Sequence, residues 1–246
     1  IGGPEAAEAE IAEIGQSLLQ ESGGIRELLL PGLRHALLIA VGLAMYQQLT
    51  GVSPLLFYTP VVFQQAGFHK ATDAMMLTII VNVLNLGCTV LALWLVDRVG
   101  RRPLLLVGTI GTAVGQLMMG TFFHLHLTGI YVVITMMVCV GFFVTSLAPL
   151  TWLIMSEIFP TRIRSTAMGF ASVVLWLSAY VVAQTFPPIM AFFEARTGSS
   201  AGVFWIFAAI CVSCFVFCWR LVPETKGRSL EQIGSSWLKS ADAHER

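Results

Sequence analysis

Met45-Tyr46-Gln47-Gln48-Leu49-Thr50-Gly51-Val52-Ser53-Pro54, continued by Leu55-Leu56-Phe57-Tyr58, lies inside an apolar segment running from about Ala36 to Phe63. A helix that crosses a bilayer needs roughly 20 mostly apolar residues, and this segment has them. Its middle nevertheless holds two adjacent amides, two hydroxyls, a glycine and a proline. In hydrocarbon an unpaired polar group costs several kcal/mol, so these side chains must face a bundle interior or a wet cavity. Pro54 has no amide hydrogen and its ring crowds the preceding turn, so the helix loosens near Gly51 and Pro54. Neighbouring residues on an unbroken helix diverge by about 100°. Gln47 and Gln48 therefore address one cavity if it is wide or if the helix unwinds beside them.

The whole chain has the same character. Of 246 residues, 56% are hydrophobic and 11% charged, with a mean hydropathy of +0.79. Soluble domains carry about 25% charged residues, so most of this surface must meet lipid. Net charge is zero, and no basic run points to nucleic acid. The chain opens on Ile1 without an apolar signal segment, which leads us to expect a longer parent chain. Cys88, Cys139, Cys211, Cys214 and Cys218 all lie in apolar runs without a neighbouring His or acid. They read as packing residues rather than a metal or redox site, despite the C-x-x-C formed by Cys211 and Cys214.

Six apolar segments follow one another: about Ala36 to Phe63, Met75 to Val96, Leu104 to Phe123, Ile130 to Met155, Ala167 to Phe193 (bent late by Pro187-Pro188) and Ala201 to Leu221. Before them, residues 1–34 carry apolar positions at helical spacing through Ile11, Ile14, Leu18 and Leu19, and read as short linker helices. Residues 35–222 form the membrane bundle and 223–246 a polar tail. Arg26, Arg34, Arg98, Arg101, Arg102, Arg162, Arg164, Arg220 and Lys226 mark one side of the bundle, against Lys70 and Arg196 on the other. The positive-inside rule puts both termini in the cytoplasm, as an even number of spans requires.

Amides both donate and accept, which suits the hydroxyls of a sugar or polyol better than an ion. Gln47 and Gln48 could equally tie helices together. Asn85, with Asn82 one turn earlier, poses the same choice. Trp176 lies too deep for an interfacial anchor and could wall an apolar ring face. Asp97, Arg98, Arg101 and Arg102 crowd the turn between spans two and three, while Glu157 closes span four and Arg164 opens span five. Topology explains the arginines but not the paired acids. No acid lies deep in a span, so this region contains no evident proton relay.

QQLTGVSPLLFY, DRVGRR, PLTWLIMSEIFPTRIR and PETKGRSLEQI, in this order and spacing, resemble the C-terminal half of a sugar porter of the major facilitator superfamily. That family includes the glucose facilitators and the bacterial xylose, galactose and arabinose proton symporters. The resemblance implies that Gln47, Gln48, Asn85 and Trp152 bind sugar, and that Phe143 and Trp176 line the cavity. It implies that Phe57 and Tyr58 form an extracellular gate, and that Asp97, Arg101, Arg102, Glu157 and Arg164 latch the cytoplasmic side. Ser53 takes a family asparagine's place in the site, Leu175 a frequent amide's, Ala179 another asparagine's, and Val144 the mammalian facilitators' acid. Each change removes a hydrogen-bonding group, which argues against a D-glucose pocket. The Leu-Trp pair resembles that of bacterial inositol and polyol symporters.

The expectation is thus an all-α membrane protein, six helices making half of a major facilitator fold. Joined to its N-terminal half, it would carry a monosaccharide or polyol by alternating access, as a proton symporter in the plasma or inner membrane. It would need no cofactor. A uniporter and a non-transporting sugar receptor are the alternatives. A membrane enzyme would need a nucleophile, base or metal cluster that the sequence does not contain.

Overall fold

The computed structural model describes residues 25–30 and 33–226. The linker helix expected before residue 20 and the tail beyond residue 226 lie outside them. A 3-10 turn at Ile25–Leu29 leads into α1 (Arg34–Leu49), α2 (Val52–Phe57), α3 (Thr59–Gln65), α4 (Ala71–Val99), α5 (Arg101–His124), α6 (Ile130–Thr145), α7 (Leu147–Glu157), α8 (Thr161–Thr197) and α9 (Ala201–Leu221). No strand occurs among the described residues. Six stretches are long and apolar enough to cross a membrane: α1 with α2, α4, α5, α6 with α7, α8, and α9.

The first and fourth spans are broken, and their sequences say why. Gly51 takes the left-handed conformation, φ 78°, which a side chain resists. A Cβ at Gly51 would also lie 2.4 Å from the Phe207 ring. Pro54 withholds the donor that would carry the helix on. The chain bends again at Tyr58, just before Pro60. The fourth span breaks at Ser146, φ −129° and ψ −85°, three residues before Pro149. By contrast, α8 runs through Pro187 and Pro188 without interruption.

The break does not unwind the helix at the amides. Thr50 still donates its N–H to Tyr46 O at 3.1 Å, and Gly51 donates to Gln48 O at 3.1 Å. Gln47 and Gln48 therefore sit on regular helix and diverge, and the bend falls just beyond them.

Glycines set the closest packing. A Cβ at Gly115 of α5 would lie 2.8 Å from the Cys139 backbone, and one at Gly108 would overlap Ser146. Small residues let membrane helices approach until their backbones touch, where dispersion replaces the hydrophobic drive that lipid cannot supply. On its other side α5 packs along α9, with Gly120 under Trp205 and the rings of Phe123 and Phe204 stacked at 5.3 Å. Helix α1 lies against α8, and α7 fills the space among α1, α5, α6 and α8. The outcome is uneven. In α4 and α8 only 17% and 22% of the most apolar window is buried, against 50–56% in the other four spans.

Candidate functional site

Two broken helices meet at Gln47. Its Nε2 donates to Ala148 O at 2.8 Å, joining α1 to the first turn of α7. Trp152 is one turn past Ala148 on the same face of α7 and is half-buried. Gln47 and Gln48 are 5% and 7% exposed, and the Oε1 of each is buried without a hydrogen-bond partner. Buried polar atoms are nearly always paired, so two unmet amide oxygens on successive residues mark capacity to accept hydroxyl hydrogens.

The other expected residues lie on four further helices. Ser53 is half-buried in the first turn of α2, just past the bend. Phe143 is buried near the end of α6, three residues before its break. Asn85 is half-buried on α4 and accepts a long bond, 3.5 Å, from the Thr89 hydroxyl. Asn82 donates to Thr78 O of its own helix. Trp176 is 64% exposed on α8, whereas its neighbour Leu175 turns into the core at 2%.

The two aromatics at the end of α2 part company. Phe57 is exposed, while the Tyr58 hydroxyl donates to Ala183 O of α8 at 3.4 Å and its ring stacks on Phe186 at 5.6 Å. Ala183 O is the acceptor that the missing N–H of Pro187 would have served in a regular helix. Phe186 stacks in turn on Phe207, the ring that covers Gly51. An aromatic path therefore runs from Tyr58 to the bend.

At the arginine-rich end the charges gather around Arg101. Its guanidinium meets Glu157 at 3.0 Å and Asp97 at 3.6 Å. Arg102 instead donates to Trp219 O. Arg164 bonds to Thr161 of its own helix and makes no ion pair with Glu157. The span ends bring Glu157 and Arg164 close in sequence, but Arg101 occupies the carboxylate.

Three further participants had no role in this cluster assigned from sequence. The Glu224 carboxylate accepts from the backbone N–H groups of Arg101 and Arg102, both at 3.1 Å, and so caps the N-terminus of α5. Thr225 donates to Glu157, and Lys226 Nζ to Arg98 O at 2.8 Å. Burial by itself would raise the Glu224 carboxyl. The N–H groups of Lys226, Arg101 and Arg102 and the Arg101 charge outweigh it, and hold the carboxyl below its ordinary range. Gln116 is the other omission: fully buried on α5, it donates to Thr50 O at 3.0 Å. A lone amide in an apolar span was its signal, the same one that singled out Gln47.

Among the described residues no group of His, Cys, Asp or Glu is placed to hold a metal ion.

A family model for sugar (and other) transporters matches residues 1–237. The arabinose-proton symporter of Bacillus subtilis (strain 168) is 36% identical over 97% of this chain and 51% of that protein. The D-xylose-proton symporter of Escherichia coli (strain K12) is 38% identical over 96% of this chain and 48% of that protein. The major myo-inositol transporter IolT of Bacillus subtilis (strain 168) is 36% identical over 92% and 48%. A solved structure of the proton:xylose symporter XylE bound to 6-bromo-6-deoxy-D-glucose matches with a TM-score of 0.78 at 37% identity, over 96% of this chain and 49% of that one. The chain thus spans about half the length of these relatives. With six membrane-length helices, a family match over nearly its whole length and this structural likeness, the chain is a multi-pass membrane protein that belongs to the sugar transporter family.

Proposed function

We propose that this chain is the C-terminal six-helix half of a transporter that moves a monosaccharide or polyol by alternating access, coupled to protons once joined to an N-terminal half. The observation that carries the reading is the pair of buried, unpartnered Oε1 atoms of Gln47 and Gln48, on a span broken just beyond them. Broken helices near mid-membrane are where transporters hold their substrates. In this reading Ser53, Asn85, Phe143 and Trp176 complete the pocket, Phe57 and Tyr58 gate it, and the charge cluster at Arg101 latches the far side.

The lightly buried α4 and α8 are the faces that the other half would cover. A proton carrier would sit in that half, since no acid lies deep in a span here. Support for coupling comes from relatives named as proton symporters. The arginine-rich side would be cytoplasmic, with both termini of this region. The myo-inositol transporter among the relatives, and Ser53 in place of an amide, favour a polyol over glucose.

Calorimetry on the full-length protein with hexoses, pentoses and inositols tests the reading. Gln48→Ala is expected to weaken binding by about tenfold, since 1.4 kcal/mol is one decade and a neutral hydrogen bond contributes about 0.5–1.5 kcal/mol. Ser53→Asn is expected to raise affinity for aldohexoses relative to polyols, and Leu175→Ala to matter less than Gln48→Ala. Unchanged affinities in a folded Gln48→Ala protein would make the amides interhelical ties. Saturable binding without uptake would favour a receptor.

A further inference from the structure

The bend in the first span leaves one carbonyl exposed to a problem. In a continuous helix Thr50 O would accept from the N–H of residue 54, but that residue is Pro54 and has none. An unpaired carbonyl at this depth is costly, and the chain meets the cost from another helix. Gln116 of α5 reaches across to donate its Nε2 at 3.0 Å, in a bond that is buried at both ends. The Gln116 side chain is 0% exposed, and its Oε1 has no partner. Packing alone would favour an apolar residue here, since burying an amide oxygen unpaired is unfavourable. The bond to Thr50 is the feature that offsets it.

The same locus is held from a second side. Phe207 of α9 lies over Gly51 so closely that no Cβ would fit, and the Cys211 thiol of α9 also points at Thr50 O, at 3.9 Å. Helices α5 and α9 pack against each other along their length. They therefore act as a fixed wall to which the pivot between α1 and α2 is pinned. One side of the pivot carries Gln47 and Gln48, and the other carries Ser53, Phe57 and Tyr58.

We propose that Gln116 is a positioning residue for substrate. Its bond to Thr50 O fixes the angle between the amide-bearing α1 and the gate-bearing α2, and makes Gly51 the point about which α2 turns. The inference rests on the transport reading of Gln47 and Gln48, but its effect on the bend stands independently of the ligand.

The test uses the full-length protein with three forms: wild type, Gln116→Met, which keeps the length and loses the donor, and Gln116→Glu. A carboxyl buried at this site stays protonated and can donate again. Gln116→Met is expected to weaken sugar binding by about fivefold and to speed amide hydrogen exchange across residues 52–57. Gln116→Glu is expected to remain within about twofold of wild type on both readouts near neutral pH. A residue that merely fills space would give the opposite pattern, with Met tolerated and Glu damaging, and that result overturns the proposal. So does faster exchange in Gln116→Met with unchanged affinity. If wild type binds no sugar of the panel, the transport reading fails, and the exchange rates alone still report whether Gln116 holds the bend.

Discussion

The Gln47 amide donates to Ala148 O at 2.8 Å, and through this bond the two interrupted spans are tied at their interruptions. Residues 101 positions apart thereby share one polar junction. Gln48, next in sequence, also has a buried unmet oxygen but does not share this tie.

The two amides should consequently behave differently. In the proposed transport reading, Gln47→Ala removes a structural bond as well as a ligand contact, whereas Gln48→Ala removes chiefly a ligand contact. We expect Gln47→Ala to lower thermal stability in detergent by about 0.5–1.5 kcal/mol, with Gln48→Ala closer to wild type. Melting curves without sugar check this. Equal melting temperatures for the two variants would contradict the assignment.

Arg101 and Arg102 are neighbours with unequal duties. Arg101 holds Glu157 and Asp97, while the Arg102 side chain reaches Trp219 O. Arg101→Ala should destabilise the arginine-rich end by about 1.5–3 kcal/mol, the range for hydrogen bonds to charged groups, and Arg102→Ala should cost less. In the full-length protein, cysteine accessibility on the two sides of the membrane would read the resulting shift between states, because only contacts that differ between states can move that balance. Identical accessibility in wild type and both variants would leave topology as the role of these arginines.

Glu224 adds a pH dependence of known sign. Its carboxyl is held below the ordinary glutamate value in the folded protein. Its stabilising contribution is therefore fully present above that ordinary value, about 4.3, and is lost as pH falls through the lower folded value. The stability difference between wild type and Glu224→Gln should be constant near neutrality and should close in acid. A gap that widened on acidification would reverse the sign and refute the capping role.

Gly51 tolerates no side chain for two separate reasons. Its φ of 78° disfavours any Cβ by about 1–2 kcal/mol, and Phe207 occupies the space. Gly51→Ala should express poorly or melt well below wild type. Adding Phe207→Leu should recover part of the loss by relieving the clash, though not the backbone term. Failure of the second change to recover any stability would assign the whole cost to the backbone.

Much of this architecture is local, and so it was legible in the linear chain. Hydropathy over a window of helix length set the six spans, and α9 begins and ends at the expected residues, Ala201 and Leu221. Proline and glycine chemistry placed the bend near Gly51 and Pro54, because a missing N–H and a left-handed φ act within one turn. Partner choice is not local. Glu157 is seven residues from Arg164 yet binds Arg101, and Glu224 caps α5 from more than 120 positions away. Which carbonyl Gln47 would reach, and that Gln116 would stand in for the absent donor of Pro54, depended on how α1, α5 and α7 pack. Hydrogen bonds are satisfied over about 3 Å in space, a distance that only the packing of these helices brings within reach.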